Sequence, residues 1–397
     1  MQYSNVCNDS LSRLGFGTMR LPLNDDKSIN EEEVKKMVKY ALDNGVNYFD
    51  TAYPYHDGQS ELVIGRALKD YPRDSFRLAS KYPGHQTVAE YNPAEIFEEQ
   101  LKKCQVEYFD YYLLHNVCES DFEVYESEKW GIIDYFVKQK ELGRIKHLGF
   151  SSHALADNLD AFISRHIGLF EFCQIQLNYL DWTLQDGKKK YDILAKYNIP
   201  VWVMEPVRGG KLVNAIKQED IMKLKEFRPD DSVASFAFRF LLQYPNIKMI
   251  LSGMSNMTQM EDNIKTFNEN LPITKEENDY LFKIAEGLKN SLPCTGCRYC
   301  VKGCPMELDI PTLINAFNDL RFAESFTTPM YIEHLPAEKK PSACIGCGQC
   351  ASMCPQKIDV PKAMRDFDEL LDKSVKWSEV CKQREEAAKR LKGLTKK

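Results

Sequence analysis

The sequence predicts an α/β protein with two parts, a (β/α)8 TIM barrel followed by a smaller, mainly helical domain. Three observations lead to this prediction. Short apolar runs alternate with longer amphipathic stretches from the N-terminus to about residue 270, a pattern typical of parallel strands joined by helical crossovers. A motif then recurs after 50 residues, with a helix expected behind each copy. The length of 397 residues suits one barrel-sized domain and a smaller one.

Eight apolar runs have the length of strands. They span residues 14–19, 47–52, 77–82, 108–115, 147–151, 172–177, 200–205 and 247–252. Helical periodicity lies between them, for example at residues 31–44, 93–106, 124–141 and 231–243. A doubly wound open sheet is the alternative architecture, but eight regular strand–helix units favour a closed barrel.

The expected boundaries follow from these patterns. Residues 1–270 form the barrel, 271–293 a helical linker that ends at Pro293, and 294–375 the second domain. The final segment, 376–397, is rich in Lys and Arg. We expect a solvated or frayed helix there, because charged runs at a chain terminus are commonly solvated.

Eight of the thirteen cysteines form two copies of one pattern, C-x2-C-x2-C-x3-C-P. The first copy contains Cys294, Cys297, Cys300 and Cys304, and the second contains Cys344, Cys347, Cys350 and Cys354. Structural zinc usually takes its ligands from two separated pairs, and a disulfide scaffold is improbable in a chain of this size without a secretory segment. The spacing resembles that of bacterial ferredoxins, which hold [4Fe–4S] clusters with it.

The resemblance implies two [4Fe–4S] clusters in a ferredoxin-like domain. In two-cluster ferredoxins the cysteine before proline ligates the other cluster. The resemblance therefore implies that the fourth cysteine of each motif ligates the cluster held by the other motif. Cluster 1 takes Cys294, Cys297, Cys300 and Cys354; cluster 2 takes Cys344, Cys347, Cys350 and Cys304.

Composition narrows the classes of function and partner. The formal net charge of −6 argues against nucleic acid as an obligate partner, and no apolar run approaches the ~20 residues that a membrane span needs. The N-terminus, MQYSNVCNDS, lacks the basic and apolar regions of a signal peptide. Together with five further thiols, read as free, these features predict a reducing cytoplasmic location.

Polar residues follow the second, third and fourth predicted strands. Asp50 and Tyr55 follow the second, Lys81 ends the third and His115 ends the fourth. Barrel enzymes place catalytic groups at these strand ends. Hydride transfer to a carbonyl needs a proton donor for the developing alkoxide, and an ammonium beside a tyrosine lowers the pKa of the phenol. Tyr55 is therefore a candidate acid, with Lys81 tuning it, Asp50 holding Lys81 and His115 orienting the substrate oxygen.

These residues resemble the Asp, Tyr, Lys and His tetrad of the aldo-keto reductase family. The resemblance covers residues 11–268 and begins at LGFGTMRLP; it continues in FDTAYPYH and includes Glu61 and Gly65. His56 and Asp57 replace the family's small turn residue. The resemblance implies reduction of a small carbonyl substrate by NADPH or NADH.

The same resemblance implies a nicotinamide cofactor site. Gly17, Thr18 and Met19 match the segment below the nicotinamide, and Ser151 and Ser152 occupy the place of the family's Ser-Asn pair. Gln174 matches the glutamine that binds the carboxamide, and Met204 takes the place of a stacking aromatic ring. Asp262 and Asn263 are implied on the adenine side. Gly253 and Gln259 stand where many members place cations against the 2′-phosphate of NADPH. Because that phosphate would lose charge-assisted hydrogen bonds, the sequence predicts weaker discrimination in favour of NADPH, extending to a preference for NADH.

The sequence leaves three interpretations of the whole chain open. In the favoured one, an NAD(P)H-linked reductase exchanges electrons through its clusters with a redox partner protein, such as a ferredoxin or a flavoprotein. In the second, the clusters are structural or redox-sensing and the barrel works alone. In the third, the barrel is a docking scaffold of an electron-transfer protein without carbonyl turnover. A hydride carries two electrons whereas a cluster passes one, yet the chain contains no recognisable flavin fingerprint.

Overall fold

A computed structural model describes residues 1–86, 88–119, 121–214, 216–288, 292, 294, 298–322, 326–354 and 358–394, with backbone alone for residues 299, 322, 388 and 391–394. The predicted barrel is confirmed. Eight parallel strands close in the order β10-β3-β4-β5-β6-β7-β8-β9. The strands are β3 (Leu14–Gly17), β4 (Tyr48–Asp50), β5 (Arg77–Tyr82), β6 (Phe109–Leu114), β7 (Ile145–Ser152), β8 (Cys173–Gln176), β9 (Val201–Met204) and β10 (Ile247–Ser252).

Helices surround the barrel. They are α1 (Glu31–Asp43), α2 (Gln59–Leu68), α3 (Pro93–Cys104), α4 (Phe122–Tyr125), α5 (Ile132–Glu141), α6 (Ala156–Arg165), α7 (Asp181–Leu184), α8 (Gly187–Lys196), α9 (Lys211–Asn214), α10 (Gln218–Phe227), α11 (Val233–Leu242) and α12 (Met257–Glu269). The single helix predicted over residues 124–141 is wrong, because it is split into α4 and α5. Gly131, directly before α5, has φ 53°, a left-handed conformation that glycine adopts without strain.

An N-terminal hairpin, β1 (Tyr3–Val6) and β2 (Asp9–Ser12), precedes the barrel and was not predicted. Its turn consists of Cys7 and Asn8, with φ 52° and 62°. The hairpin contacts the N-terminal ends of the strands, since Arg77 Nε donates to Asp9 Oδ1 at 2.9 Å. It therefore covers the end of the barrel opposite the predicted site.

The second domain is mainly helical, as predicted. It contains α14 (Tyr299–Lys302), α15 (Ile310–Phe322), α16 (Thr327–His334), α17 (Gln349–Ser352) and α18 (Val360–Asp372). The repeat packs against itself, with the rings of Phe317 and Phe367 centred 5.3 Å apart. The predicted linker contains α13 (Lys275–Leu288), whose buried face belongs to the hydrophobic core of the barrel.

The two domains contact each other through buried side chains. Arg208, in the loop after β9, is ion-paired with Asp319 of α15. Asn116, in the loop after β6, donates to the Met330 sulfur at 3.1 Å. The helical domain thus sits against the loops at the C-terminal ends of the barrel strands.

The C-terminal segment differs from the solvated helix that was expected. It forms α19 (Trp377–Leu394), and its first turns pack into the barrel's hydrophobic core. Trp377, Val380 and Cys381 are only 5%, 9% and 6% exposed. Three apolar residues at helical spacing, rather than the charges around them, determine where this helix lies. Among the described helices, none is both long enough and apolar enough to cross a bilayer.

Candidate functional site

Asp50 and Lys81 form a buried ion pair at the C-terminal ends of β4 and β5. Asp50 pairs in register with Ala79, so Lys81, two residues further along β5, points to the same side of the sheet. Lys81 Nζ lies 2.6 Å from Asp50 Oδ1 and also donates to the Thr51 carbonyl at 2.7 Å. Burial alone would lower the pKa of Lys81, but Asp50 and then Tyr55 raise it above its usual value. The lysine is therefore held as an ammonium.

Tyr55 begins the short 3-10 turn Tyr55–Gly58 that follows β4. Lys81 Nζ lies 5.0 Å from the centre of its ring. The expected lowering of the pKa of Tyr55 is only partly correct. Burial raises the pKa above its usual value, and this outweighs the opposing effect of Lys81. The phenol is consequently protonated at neutral pH, as a proton donor must be.

His115 follows β6 and faces Tyr55. Lys81 pairs in register with Leu113, and His115 lies two residues beyond that partner, on the same side. The rings of Tyr55 and His115 are centred 6.0 Å apart at 81°. Burial, with His85 and Lys81 nearby, lowers the pKa of His115 well below its usual value. The imidazole is neutral and can donate one hydrogen bond.

His85 is a site residue that the sequence reasoning missed. It lies in the loop after β5, is 4% exposed, and its ring centre is 4.5 Å from that of His115. Burial lowers its pKa to about 3. Its position four residues after Lys81 was the available signal, but only residues at the strand ends were considered.

The residues implied under the nicotinamide lie around the same barrel mouth. Gly17 pairs in register with Asp50, and the Thr18 hydroxyl donates to the Asp50 carbonyl at 2.9 Å. Met19 is 45% exposed. Gln174 Nε2 lies 3.6 Å from the Met204 sulfur. Among the described residues Gln174 Oε1 has no hydrogen-bond partner although it is buried, so this oxygen can accept from a ligand amide.

The two predicted serines have different roles in the structure. Ser151 Oγ accepts from the Asn116 amide at 2.8 Å, which holds the loop after His115. Ser152 Oγ donates to the Val117 carbonyl at 2.7 Å and accepts from the Ala154 amide at 3.1 Å. Both hydroxyls thus fix neighbouring loops at the barrel mouth.

The two residues that were predicted for the adenine side, Asp262 and Asn263, point towards different partners. Asn263 donates to Ser252 Oγ at 3.0 Å, while Asp262 accepts from Ser232 Oγ at 2.6 Å and so faces α11. Gln259 lies in the first turn of α12, where its side chain accepts from Ser255 N at 2.8 Å.

A cation also approaches Gly253. The alkyl stem of Arg20 passes within 3.3 Å of the position that a Gly253 Cβ would occupy. Its guanidinium is ion-paired with Glu205 at 3.1 Å. Sequence reasoning missed Arg20 because it lies after β3, far from Gly253 in the chain.

The predicted ligands of cluster 2 converge. Cys304, Cys344, Cys347 and Cys350 line one pocket whose walls include Leu308, Ile310, Val360 and Met364. The pKa of the Cys350 thiol is raised by burial and then by Cys344 and Cys304, which shows that residues from both motifs meet. Four thiols in an apolar pocket suit a [4Fe–4S] cluster.

The predicted ligands of cluster 1 are described in part. Cys294, Cys300 and Cys354 belong to the same hydrophobic cluster of the second domain, together with α15 and α18. Cys297 lies outside the described residues. The same hydrophobic cluster also contains Cys304, Cys344 and Cys350, so the two motifs pack together, and the exchange of fourth ligands stays a prediction.

A cavity of about 600 Å³ opens between the barrel and the second domain. His153 and Lys190 line it from the barrel, and Arg298 and Tyr331 from the helical domain. His153 also contributes to the lowered pKa of His115. The cavity extends from His153, in the loop after β7, to Arg298 in the first cysteine loop.

Comparison with known protein families assigns both parts. The model of the aldo/keto reductase family matches residues 13–286, which include all four tetrad positions. The chain belongs to the aldo/keto reductase family. A model described as a 4Fe-4S dicluster domain matches residues 293–358. The chain thus joins an aldo/keto reductase domain to a region that matches an iron–sulfur domain, and it spans 57% and 38% of the length of the first two curated relatives that it matches.

Individual relatives agree with this assignment. A probable aldo-keto reductase 1 from Glycine max is 31% identical over 208 residues, which cover 50% of this chain and 57% of that protein. The NADH-specific methylglyoxal reductase of Escherichia coli is 23% identical over 308 residues, covering 66% of this chain and 91% of that protein. The crystal structure of an aldo/keto reductase from Klebsiella pneumoniae with NADP and acetate shares the fold at a TM-score of 0.58. Its identity is 18%, and the match covers 71% of this chain and 95% of that one.

Proposed function

We propose that this aldo/keto reductase reduces a carbonyl substrate, with Tyr55 donating the proton. A bound NADH or NADPH supplies the hydride. Tyr55 transfers its phenolic proton to the carbonyl oxygen, whose charge grows as the reaction proceeds. The observation that carries the proposal is the line formed by Asp50, Lys81 and Tyr55, in which a fully buried ammonium faces the phenol.

Each neighbour of Tyr55 has a distinct task. Lys81 stabilises the phenolate that remains after proton transfer, and Asp50 compensates the buried ammonium. Neutral His115 donates a hydrogen bond to the substrate oxygen. Its Nδ1 has no partner among the described residues, so Nε2 can carry the proton and face the mouth of the barrel.

The cofactor preference is part of the proposal. NADH is favoured because Gly253 and Gln259 provide no cation for the 2′-phosphate. Arg20, the cation that approaches Gly253, is already paired with Glu205. Gln174 and Asn263 are the side chains that would hold the nicotinamide and adenine sides.

The iron–sulfur domain is proposed to hold two [4Fe–4S] clusters with the cysteine sets named above. Such clusters transfer single electrons, and they would exchange them with a redox partner protein, a ferredoxin or a flavoprotein. The contact of this domain with the barrel mouth, through Arg208–Asp319 and α19, supports a link between the two sites. A cytoplasmic location stays a prediction.

One experiment tests the catalytic proposal. NADH oxidation by a panel of carbonyl compounds is measured under anaerobic conditions with the wild type, Tyr55→Phe and Tyr53→Phe. Tyr53 is the matched control, because its hydroxyl donates to Glu99 at 3.2 Å instead of facing the tetrad. We expect Tyr55→Phe to lower kcat at least about 100-fold, whereas Tyr53→Phe retains activity.

A Cys347→Ser variant separates the remaining interpretations. Loss of turnover in both Tyr55→Phe and a folded Cys347→Ser variant supports cluster-linked catalysis. Loss in Tyr55→Phe alone supports a barrel that works independently. Absence of turnover in the wild type contradicts the proposal and favours the scaffold interpretation.

A further inference from the structure

The C-terminal helix α19 is anchored beside the catalytic mouth. Its buried face packs into the barrel core, and it contacts the turn Tyr55–Gly58. Its first backbone amides are capped by Glu333 of α16, whose carboxylate accepts from Ser378 N at 3.0 Å and from Trp377 N at 2.5 Å. The helix is thus fixed at both the helical domain and the active site.

A continuous series of rings connects α19 with the tetrad. Trp377 stacks on His85, with ring centres 5.9 Å apart and planes inclined by 29°. His85 in turn contacts His115, and His115 contacts Tyr55. Trp377 of the C-terminal helix is therefore linked to Tyr55 through the rings of His85 and His115.

Arg384 is the cation that α19 places beside these rings. Its guanidinium lies 5.3 Å from the centre of the Trp377 ring, and its side chain is half-buried. Among the described residues, no hydrogen bond or ion pair within 4.0 Å accounts for this guanidinium. Its charge lowers the pKa of His85 and of His115, so it acts at the site itself.

The surroundings of Arg384 favour an anionic ligand. Both neighbouring histidines are neutral, and the ion pair of Asp50 and Lys81 has no net charge. Burial lowers the pKa of Arg384, and Cys381 and the carboxylate of Asp57 raise it against this effect, but no ion pair within 4.0 Å joins Asp57 to the guanidinium. A guanidinium stacked on an aromatic ring keeps its planar set of donors free for a carboxylate, which it can bind through two parallel hydrogen bonds.

We propose that Arg384 binds the carboxylate of the substrate, so that the preferred substrates are aldehydes or ketones that carry a carboxylate group. This inference rests on the proposed carbonyl reduction and names its substrate class. Trp377 positions the guanidinium, and the carbonyl group lies towards Tyr55 and His115. Arg384 itself takes no part in the transfer of the proton or the hydride.

The test compares two substrates that differ in one charge, 4-formylbenzoate and its methyl ester. Full-length, cluster-containing wild type is compared with Arg384→Gln and Arg384→Lys. Lys382→Ala on the exposed side of the same helix is the control. We expect Arg384→Gln to lower kcat/KM for 4-formylbenzoate about tenfold or more, mainly through KM. The methyl ester should change less than about twofold, and Arg384→Lys should recover part of the loss.

A second measurement does not depend on turnover. Benzoate and benzamide are titrated calorimetrically into the wild type and Arg384→Gln, after circular dichroism has verified that the variant is folded. Binding of benzoate that is lost in Arg384→Gln supports the inference. The inference is overturned if Arg384→Gln lowers kcat/KM equally for both aldehydes. It is also overturned if Arg384→Gln binds benzoate as tightly as the wild type does. If the wild type binds benzoate through Arg384 but turns over neither aldehyde, the proposed reduction is contradicted while the anion site stands.

Discussion

Lys81 Nζ and Asp50 Oδ1 are 2.6 Å apart inside the barrel mouth, with side-chain exposures of 0% and 3%. The pair joins two neighbouring strands, since Asp50 ends β4 and Lys81 lies in β5. Removing one partner from a buried pair leaves the other charge uncompensated, which is more costly than removing both. This pair therefore links the stability of the barrel to the chemistry of Tyr55.

The first prediction concerns that coupling. Asp50→Asn and Lys81→Met should each lower the free energy of unfolding by about 3–5 kcal/mol. The double variant should lose clearly less than the sum of the two, because no unpaired charge remains. Urea denaturation of the four proteins measures this. Additive losses would show that the two side chains do not stabilise each other.

The second prediction concerns the pH dependence of carbonyl reduction. Reduction requires protonated Tyr55, so activity is present below the pKa of the phenol and lost as the pH rises through it. Since burial raises this pKa, kcat should stay level through neutral pH and decline only above about pH 10. Oxidation of the alcohol should show the opposite trend. A decline of reduction between pH 6 and 8 that Tyr55→Phe abolishes would contradict this assignment.

The third prediction concerns acid stability and His85. Burial lowers the pKa of His85 to about 3 in the folded protein, whereas the unfolded value is about 6.5. Between about pH 3 and 6.5 this histidine therefore binds a proton in the unfolded chain but not in the folded protein. The free energy of unfolding does not depend on the protonation of His85 above about pH 6.5, and it falls as the pH decreases below that value. The loss should be about 1.4 kcal/mol per pH unit.

His85→Gln should flatten this dependence. His166→Gln, on the protein surface where Nε2 lies 2.8 Å from Glu126, is the control and should leave the His85 contribution in place. Denaturation midpoints between pH 5.5 and 7.5 provide the comparison. Identical pH dependence in the wild type and His85→Gln would show that His85 titrates normally.

The fourth prediction concerns the exchange of cysteines between the two motifs. Cys304→Ser and Cys347→Ser should remove the same cluster, and Cys354→Ser the other one. Iron content should fall from about eight to about four atoms per chain in each variant, and Cys7→Ser should keep the full content. EPR spectra of the reduced proteins should be alike for Cys304→Ser and Cys347→Ser. A Cys354→Ser spectrum that matches Cys347→Ser instead would reverse the assignment.

The fifth prediction concerns NADH and NADPH. Fluorescence titration of the wild type should show tighter binding of NADH. Glu205→Gln removes the partner of Arg20 and leaves this cation available near Gly253. The selectivity should then shift several-fold towards NADPH, because a free guanidinium can pair with the 2′-phosphate. Additional replacement of Arg20 by Ala should cancel the shift. A wild type that binds NADPH clearly more tightly would contradict the prediction.

Much of the barrel could be predicted because its signals are local. All eight apolar runs became strands, with bounds within about two residues of those expected. Asp50, Lys81 and His115 could be grouped because parallel strands end at the same face of a barrel. The hairpin at residues 3–12 was not predicted. Its turn residues, Cys7 and Asn8, both have positive φ angles, but the turn lacks the glycine that usually indicates such a turn in a sequence.

Other features depend on contacts between distant parts of the chain. The pKa of Tyr55 could not be predicted from the presence of Lys81, since burial proved the larger effect. Arg20 reaches Gly253 across 233 positions of sequence, and Trp377 reaches His85 from the opposite end of the protein. The periodicity of a sequence and the spacing of its motifs do not indicate contacts between residues that are so far apart in the chain.

The amino-acid order alone fixed the alternation of strands and helices, the polar residues at the strand ends and the two cysteine motifs, because each depends on neighbours within a few residues. Folding in three dimensions added the ion pair of Arg208 and Asp319, the neutral pair of His85 and His115, and the docking of α19 beside Tyr55. Burial and electrostatic interaction depend on distance in space, and only the packed chain sets those distances.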